Sequence, residues 1–184
     1  QIATDCVYSG TKGGYTEQDV MDPVDVYGYS KALGEISSKN SMIIRCSIIG
    51  KELDSSKSLL NWVLSQNKSS NLNGYVNHFW NGVTTYHFAK ICHGIMTSNG
   101  FNPGVIHLIP ADSVSKFELI SKICTIFDRS DISVHEHDDV NFVDRTLKSV
   151  KTADLLELWA SAGYQSIPTI EEMIREYSTW TYNS

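Results

Sequence analysis

The feature that most constrains this chain is the run Met42-Ile43-Ile44-Arg45-Cys46-Ser47-Ile48-Ile49, almost continuously apolar and closed by Gly50. A strand with one wet face alternates apolar and polar residues, whereas a strand buried on both faces of a parallel sheet does not. Upstream, residues 2–8 mix β-branched and aromatic side chains and end in Ser9-Gly10, which reads as a strand running into a long polar loop. Between the two, Tyr27, Ala32-Leu33 and Ile36 recur at helical spacing over 26–39, with Pro23 just upstream where it cannot interrupt the ladder. Strand, loop, helix and strand in that order predict an α/β sheet.

Beyond Gly50 the predicted elements are shorter and the connections more polar. Helices are expected over 58–66 and 84–96, an extended piece over 75–79 and strands over 105–109 and 132–135. Ser115-x-x-Glu118 and Thr169-x-x-Glu172 are capping boxes, each opening a helix. The first of these helices turns Phe117, Ile120, Ile123, Cys124 and Phe127 inward; the last carries Met173, Ile174 and Tyr177. A further helix is expected over 152–162. Trp62, Trp80, Trp159 and Trp180 read as core or interface aromatics rather than sugar platforms.

Composition excludes several function classes. Lys and Arg are scattered in a chain of net charge −6, so there is no basic stripe for nucleic acid. No apolar stretch approaches the roughly 20 residues that span a bilayer, and the N-terminus lacks the pattern of a signal peptide. A soluble cytoplasmic protein is the expectation. Cys6, Cys46, Cys92 and Cys124 are widely spaced among apolar neighbours and read as small buried hydrophobes, with neither disulfide nor zinc spacing. His135-x-His137 with Asp138 and Asp139 can be drawn as a metal site on one strand face, but it reads better as a solvated strand end; no metal is expected.

Tyr27-Gly28-Tyr29-Ser30-Lys31 places a phenol and an ammonium one helical turn apart on one face. A phenol of ordinary pKa, about 10, is a poor proton shuttle at neutral pH, and a neighbouring cation favours its phenolate. A Tyr/Lys pair at this spacing occurs by chance on many helices. Its surroundings are more specific: Thr4-Asp5-Cys6-Val7-Tyr8-Ser9-Gly10, a Gly-rich loop with Tyr15-Thr16-Glu17, then Val26-Tyr27-Gly28-Tyr29-Ser30-Lys31-Ala32-Leu33-Gly34-Glu35. This stretch resembles the catalytic region of extended short-chain dehydrogenases, and among them most closely the dTDP-4-dehydrorhamnose reductases. Arg45-Cys46-Ser47 stands where that family has a strand ending in Arg-Thr-Ser. Further on, the resemblance survives as islands, Trp80-Asn81-Gly82-Val83-Thr84-Thr85 and Asp144-Arg145-Thr146-Leu147.

The resemblance implies the C-terminal part of a Rossmann-type parallel sheet over 1–50 and a smaller, partly interwoven α/β substrate-binding part over 51–184. It implies NADPH or NADH as cofactor and the 4-keto group of a nucleotide-linked 6-deoxy sugar as substrate. Thr4 is then the hydroxyl that meets the substrate oxygen, Tyr27 the acid, and Lys31 the residue that tunes Tyr27 and holds the nicotinamide ribose. Arg145 is a candidate pyrophosphate contact or a surface ion-pair partner; Asn81 lies in a Gly-containing turn suited either to anions or to capping. Asp5-Cys6, where related dehydratases have Asp-Glu, argues against dehydration, and the strand end fits the superfamily's epimerases less well. The chain opens without a methionine directly on the expected strand, and no glycine-rich dinucleotide turn precedes it. A missing N-terminal half is therefore expected, with that half or a homodimer covering the exposed sheet edge and the isolated chain inactive. An epimerase and a non-catalytic sugar-nucleotide-binding remnant are the alternatives.

Overall fold

The computed structural model describes residues 1–52, 58–98 and 101–182. Its framework is a parallel pair, β1 (Met42–Arg45) beside β6 (Gly104–His107), in register from Met42 opposite Gly104 to Arg45 opposite His107. On the other edge of β1, Ile2 forms a parallel bridge to Ile44, fixed by Ala3 N–H to Ile44 O at 2.9 Å and Ile44 N–H to Gln1 O at 3.0 Å. All four residues of β1 are buried, as its unbroken apolar pattern requires. The mixed α/β architecture with parallel pairing is the one expected from the sequence.

Four differences from the sequence reading matter. Residues 2–8 do not form a strand: after the single bridge at Ile2 the chain turns into a 3₁₀ helix, Asp5–Val7. The helix expected over 26–39 is α1 (Val26–Leu33), ending at Gly34. The apolar run 42–49 breaks at Cys46-Ser47, so that β2 (Ile48–Ile49) leaves β6 and pairs in parallel with β5 (Val83–Thr84). The extended piece at 75–79 is parts of two strands in different sheets: β3 (Asn71–Tyr75) pairs in parallel with β8 (Ser133–His137), and β4 (His78–Trp80) lies between β7 (Val114–Ser115) and β9 (Val143–Asp144).

The remaining helices are α2 (Leu59–Leu64), α3 (Thr85–Thr97), α4 (Lys116–Ile126), α5 (Thr152–Ser161) and α6 (Ile170–Tyr182). Both expected capping boxes form: Ser115 and Glu118 exchange bonds at the start of α4, and Thr169 and Glu172 do so before α6. Ile120, Ile123, Cys124 and Phe127 are buried on α4, joined by Leu119, whereas Phe117 is only half-buried and lies over Gly74 of β3. One apolar cluster runs from Met42 to Tyr177 and includes Trp80 and Trp159, while Trp62 and Trp180 stay partly exposed. A second, smaller one gathers Val7, Tyr8, Tyr15 and Leu147 beneath the Gly-rich loop. All four cysteines are free thiols, Cys46 and Cys124 buried and Cys6 and Cys92 partly so. Among the described residues no helix is long and apolar enough to cross a membrane.

Candidate active site

Two elements of different origin are pressed together at this site, and a glycine permits it. Thr4 has extended backbone and caps the 3₁₀ turn, its Oγ1 accepting from Cys6 N–H at 3.2 Å and donating to Asp5 Oδ1 at 3.2 Å. Asp25 caps α1 by accepting from Gly28 N–H at 2.7 Å. Gly28 then lies flat against the 3₁₀ turn: a Cβ there would sit 2.3 Å from the Cys6 carbonyl oxygen and 2.8 Å from Pro23 Cβ. This approach sets Tyr27 and Lys31 beside Thr4, and all three line one cavity of about 280 Å³ with Asp5, Cys46 and Ser47.

Tyr27 is half-exposed on the cavity wall. Lys31 Nζ donates to Ile2 O at 2.7 Å, which leaves two of its three N–H donors for other partners. Burial pushes the Asp5 carboxyl above the usual carboxylate range, against the opposing pull of the Thr4 hydroxyl and the Arg145 and Lys116 charges. The far end of α1 is fixed by a buried ion pair. Glu35, just past the helix, accepts from Arg45 Nη2 at 2.7 Å, and Arg45 Nη1 donates to Tyr8 Oη at 2.6 Å. Desolvation holds the Tyr8 phenol at about 12, so it stays neutral while packing 4.4 Å from the Tyr15 ring. Helix α1 is thus clamped at its first turn by a glycine contact and at its end by charge.

Asn81 and Arg145 lie outside this cavity's lining. Asn81 uses its side-chain amide as a backbone mimic, donating to Leu147 O at 2.7 Å and accepting from Leu147 N–H at 2.9 Å. Arg145 Nε donates to Tyr8 O at 3.0 Å, and its stem rests on Gly10, close enough for its charge to act on Asp5. His135 bonds to Asn71 Oδ1 at 3.1 Å and His137 packs on Tyr75, and among the described residues no three His, Cys, Asp or Glu side chains converge as a metal site.

A second, larger cavity of about 500 Å³ was not visible in the sequence. Trp62, Tyr75 and His78 form its aromatic wall, Asn71 and Asn73 contribute amides, and Lys116 is its one cation. Trp80, buried and in the lining of neither cavity, touches a residue of each: its Nε1 donates to Ser47 Oγ at 2.9 Å, and the Lys116 ammonium lies 5.7 Å from its ring. A local pattern that could have drawn notice to the second cavity, but was not singled out, is Lys116, a cation in the first turn of a capped helix, where the helix dipole disfavours it.

The family model described as the RmlD substrate binding domain matches residues 1–176. A crystal structure of dTDP-4-dehydrorhamnose reductase from Bacillus anthracis in complex with NADP superposes on 98% of this chain and 64% of its own, with a TM-score of 0.71 and 21% identity. The Yersinia enterocolitica dTDP-4-dehydrorhamnose reductase superposes on 97% and 64%, with a TM-score of 0.74 and 16% identity. In sequence, 138 residues are 24% identical to methionine adenosyltransferase 2 subunit beta of Rattus norvegicus, covering 68% of this chain and 41% of that protein. The chain therefore spans under two thirds of each of these relatives.

Proposed function

Because the chain belongs to the RmlD substrate binding domain family, we propose that it supplies the catalytic helix and substrate cavity of a reductase acting on the keto group of a nucleotide-linked sugar. The observation that carries this reading is the convergence of Thr4, Tyr27 and Lys31 on one cavity. Those residues fit the nicotinamide end of a dinucleotide: Lys31 keeps two free donors for ribose hydroxyls, and the Tyr27 phenol faces the same space. When bound, NADPH or NADH would supply the hydride.

The chain's own residues do the rest. As the carbonyl carbon gains hydride, negative charge grows on the carbonyl oxygen, and hydroxyl donors aimed at that oxygen lower the barrier. Thr4 Oγ1 serves as one donor by rotating its proton from Asp5 to the substrate. Tyr27 transfers its phenolic proton to the oxygen, completing the alcohol, and the resulting phenolate is balanced by the Lys31 ammonium one turn away. Half-exposure of Tyr27 gives water a route to return the proton. The outer face of α1, with Val26, Tyr29 and Leu33 exposed, and the Ile2 edge of the sheet are then the surfaces against which a dinucleotide-binding half or a second copy packs.

A second reading is a sugar-nucleotide-binding module without turnover, since the chain spans under two thirds of its relatives. The test joins the chain to a dinucleotide-binding half and follows NADPH oxidation with a dTDP-4-keto-6-deoxy sugar. Turnover that falls at least about 100-fold in Tyr27→Phe supports the reductase, on the scale of a lost general acid. Substrate binding with no turnover in the wild type favours the binding module, and isomerised product without NADPH consumption an epimerase.

A further inference from the structure

The buried ion pair at the end of α1 has a third member. The Arg45 and Glu35 side chains are 5% and 3% exposed, and the guanidinium gives the carboxylate two of its nitrogens, Nε at 3.0 Å from Oε1 and Nη2 at 2.7 Å from Oε2. Nη1 donates to Tyr8 Oη at 2.6 Å. Nη2 also donates to the thioether of Met21, 3.2 Å from Sδ. Carboxylate and phenol oxygens are good acceptors, whereas a thioether sulfur is a weak one. The bond to Met21 is therefore the weakest in the clamp.

Met21 is half-buried and packs against the small core of Val7, Tyr8, Tyr15 and Leu147. Its backbone is held in place: the neighbouring Asp22 N–H donates to Val7 O at 3.0 Å, and Asp22 Oδ1 accepts from Ser9 N–H at 2.8 Å. Two residues on, Pro23 packs on Gly28 of α1. A group enlarged at Met21 thus bears on α1 from both ends, through Arg45 and Glu35 at one and through Pro23 at the other. The other three methionines lack this placement. Met42 and Met173 are buried in the main core, and Met96 stands 75% exposed in the last turn of α3.

We propose that Met21 is a modification site, oxidised by peroxides to its sulfoxide, and that the added oxygen loosens α1. A sulfur lone pair forms the new S–O bond as the O–O bond of the peroxide breaks. Sulfur gives up two electrons and the peroxide takes them, leaving as water or an alcohol. The sulfoxide oxygen is polar where the thioether was not, and it stands between sulfur and Nη2. It competes with Glu35 for that nitrogen and forces the two side chains apart, because the backbone at Asp22 is fixed.

The test exposes the full chain to hydrogen peroxide, maps each methionine by peptide mass spectrometry and follows amide hydrogen exchange across α1. Sulfoxide is expected at Met96 first, at Met21 next and at Met42 and Met173 last, in the order of exposure. With Met21 oxidised, exchange over Val26–Leu33 should speed up about 10-fold, the scale of one weakened bond to a charged group. Met21→Leu keeps the apolar packing and takes up no oxygen, so peroxide should leave its α1 exchange unchanged while Met96 still oxidises. Met96→Leu should respond to peroxide as the wild type does. Faster α1 exchange in peroxide-treated Met21→Leu, or none in Met96→Leu, assigns the effect to another residue and overturns the proposal. So does a Met21 that oxidises no sooner than Met42 and Met173, or a Met21 sulfoxide that leaves α1 exchange as it was. None of these outcomes depends on turnover, so the role of Tyr27 is judged separately.

Discussion

Replacing Gly28 by alanine tests whether a single close contact positions helix α1. The added Cβ would meet the Cys6 carbonyl oxygen at 2.3 Å and Pro23 Cβ at 2.8 Å, with neither neighbour the end of a flexible side chain. Ordinary carbon contacts lie near 3.5 Å, so α1 must retreat by roughly 1 Å. Overpacking against backbone falls toward the upper end of about 1–3 kcal/mol, while alanine in a helix returns about 1 kcal/mol of propensity. The net expectation is a loss of about 2 kcal/mol, measured by urea denaturation at constant m. Gly34→Ala is the control: its Cβ would find nothing nearer than 3.4 Å, so it should be neutral or stabilising by up to about 1 kcal/mol. Tyr27 moves with the same turn, and a displacement of about 1 Å should lower turnover on the order of 100-fold in the joined enzyme. A Gly28→Ala variant as stable as Gly34→Ala would refute the account of how Tyr27 and Thr4 are brought together.

Two further outcomes follow from the geometry. Thr4→Val should lower turnover about 10- to 1000-fold, the order seen when one donor to a developing oxyanion is lost, while Thr4→Ser retains most of it; equal rates in all three would leave Thr4 only its capping role. His87 is fully buried between Thr84 Oγ1 at 2.7 Å and Glu176 Oε2 at 3.1 Å, and burial holds it at about 4. The unfolded chain therefore binds the extra proton first, so stability is complete above about 6.5 and falls as pH drops toward 4, by up to about 1.4 kcal/mol per pH unit from this group. Urea denaturation from pH 7.5 to 4.5 should show that slope flattened in His87→Gln; identical slopes would refute the assignment.

What the sequence made legible was what local chemistry decides. The Tyr27/Lys31 spacing, the two capping boxes and the buried strand all follow from one turn or one face, and each appears in the structure. The misread segments are those where a distant partner competes with local pattern. Residues 2–8 have strand composition, but the Thr4 hydroxyl takes the Cys6 N–H that a ladder would need, and Val7 and Tyr8 are apolar because they fill the small second core. Ile36 continues the helical spacing of α1, yet the helix ends at Gly34 and Glu35 is engaged by Arg45 from β1. Asn81 was singled out in a Gly-containing turn suited to anions or to capping; the partner of its amide, Leu147, is 66 residues away and invisible to any local pattern.

The same distinction explains why the Tyr27/Lys31 pair stood out in the sequence and the residues around the second cavity did not. For a cation to act on a phenol the two must be held near each other, and one helical turn supplies that within five residues. Lining a cavity instead draws residues from elements far apart in the chain. Trp62 comes from α2, Tyr75 from β3, His78 from β4 and Lys116 from α4, brought together only because β3 pairs with β8 and Gly74 lets α4 settle on β3. A Cβ at Gly74 would stand 2.5 Å from Phe117 Cα, next to Lys116, so one glycine in a short strand decides where the cation of the second cavity lies. The place of Lys116 in that cavity is therefore a property of tertiary packing.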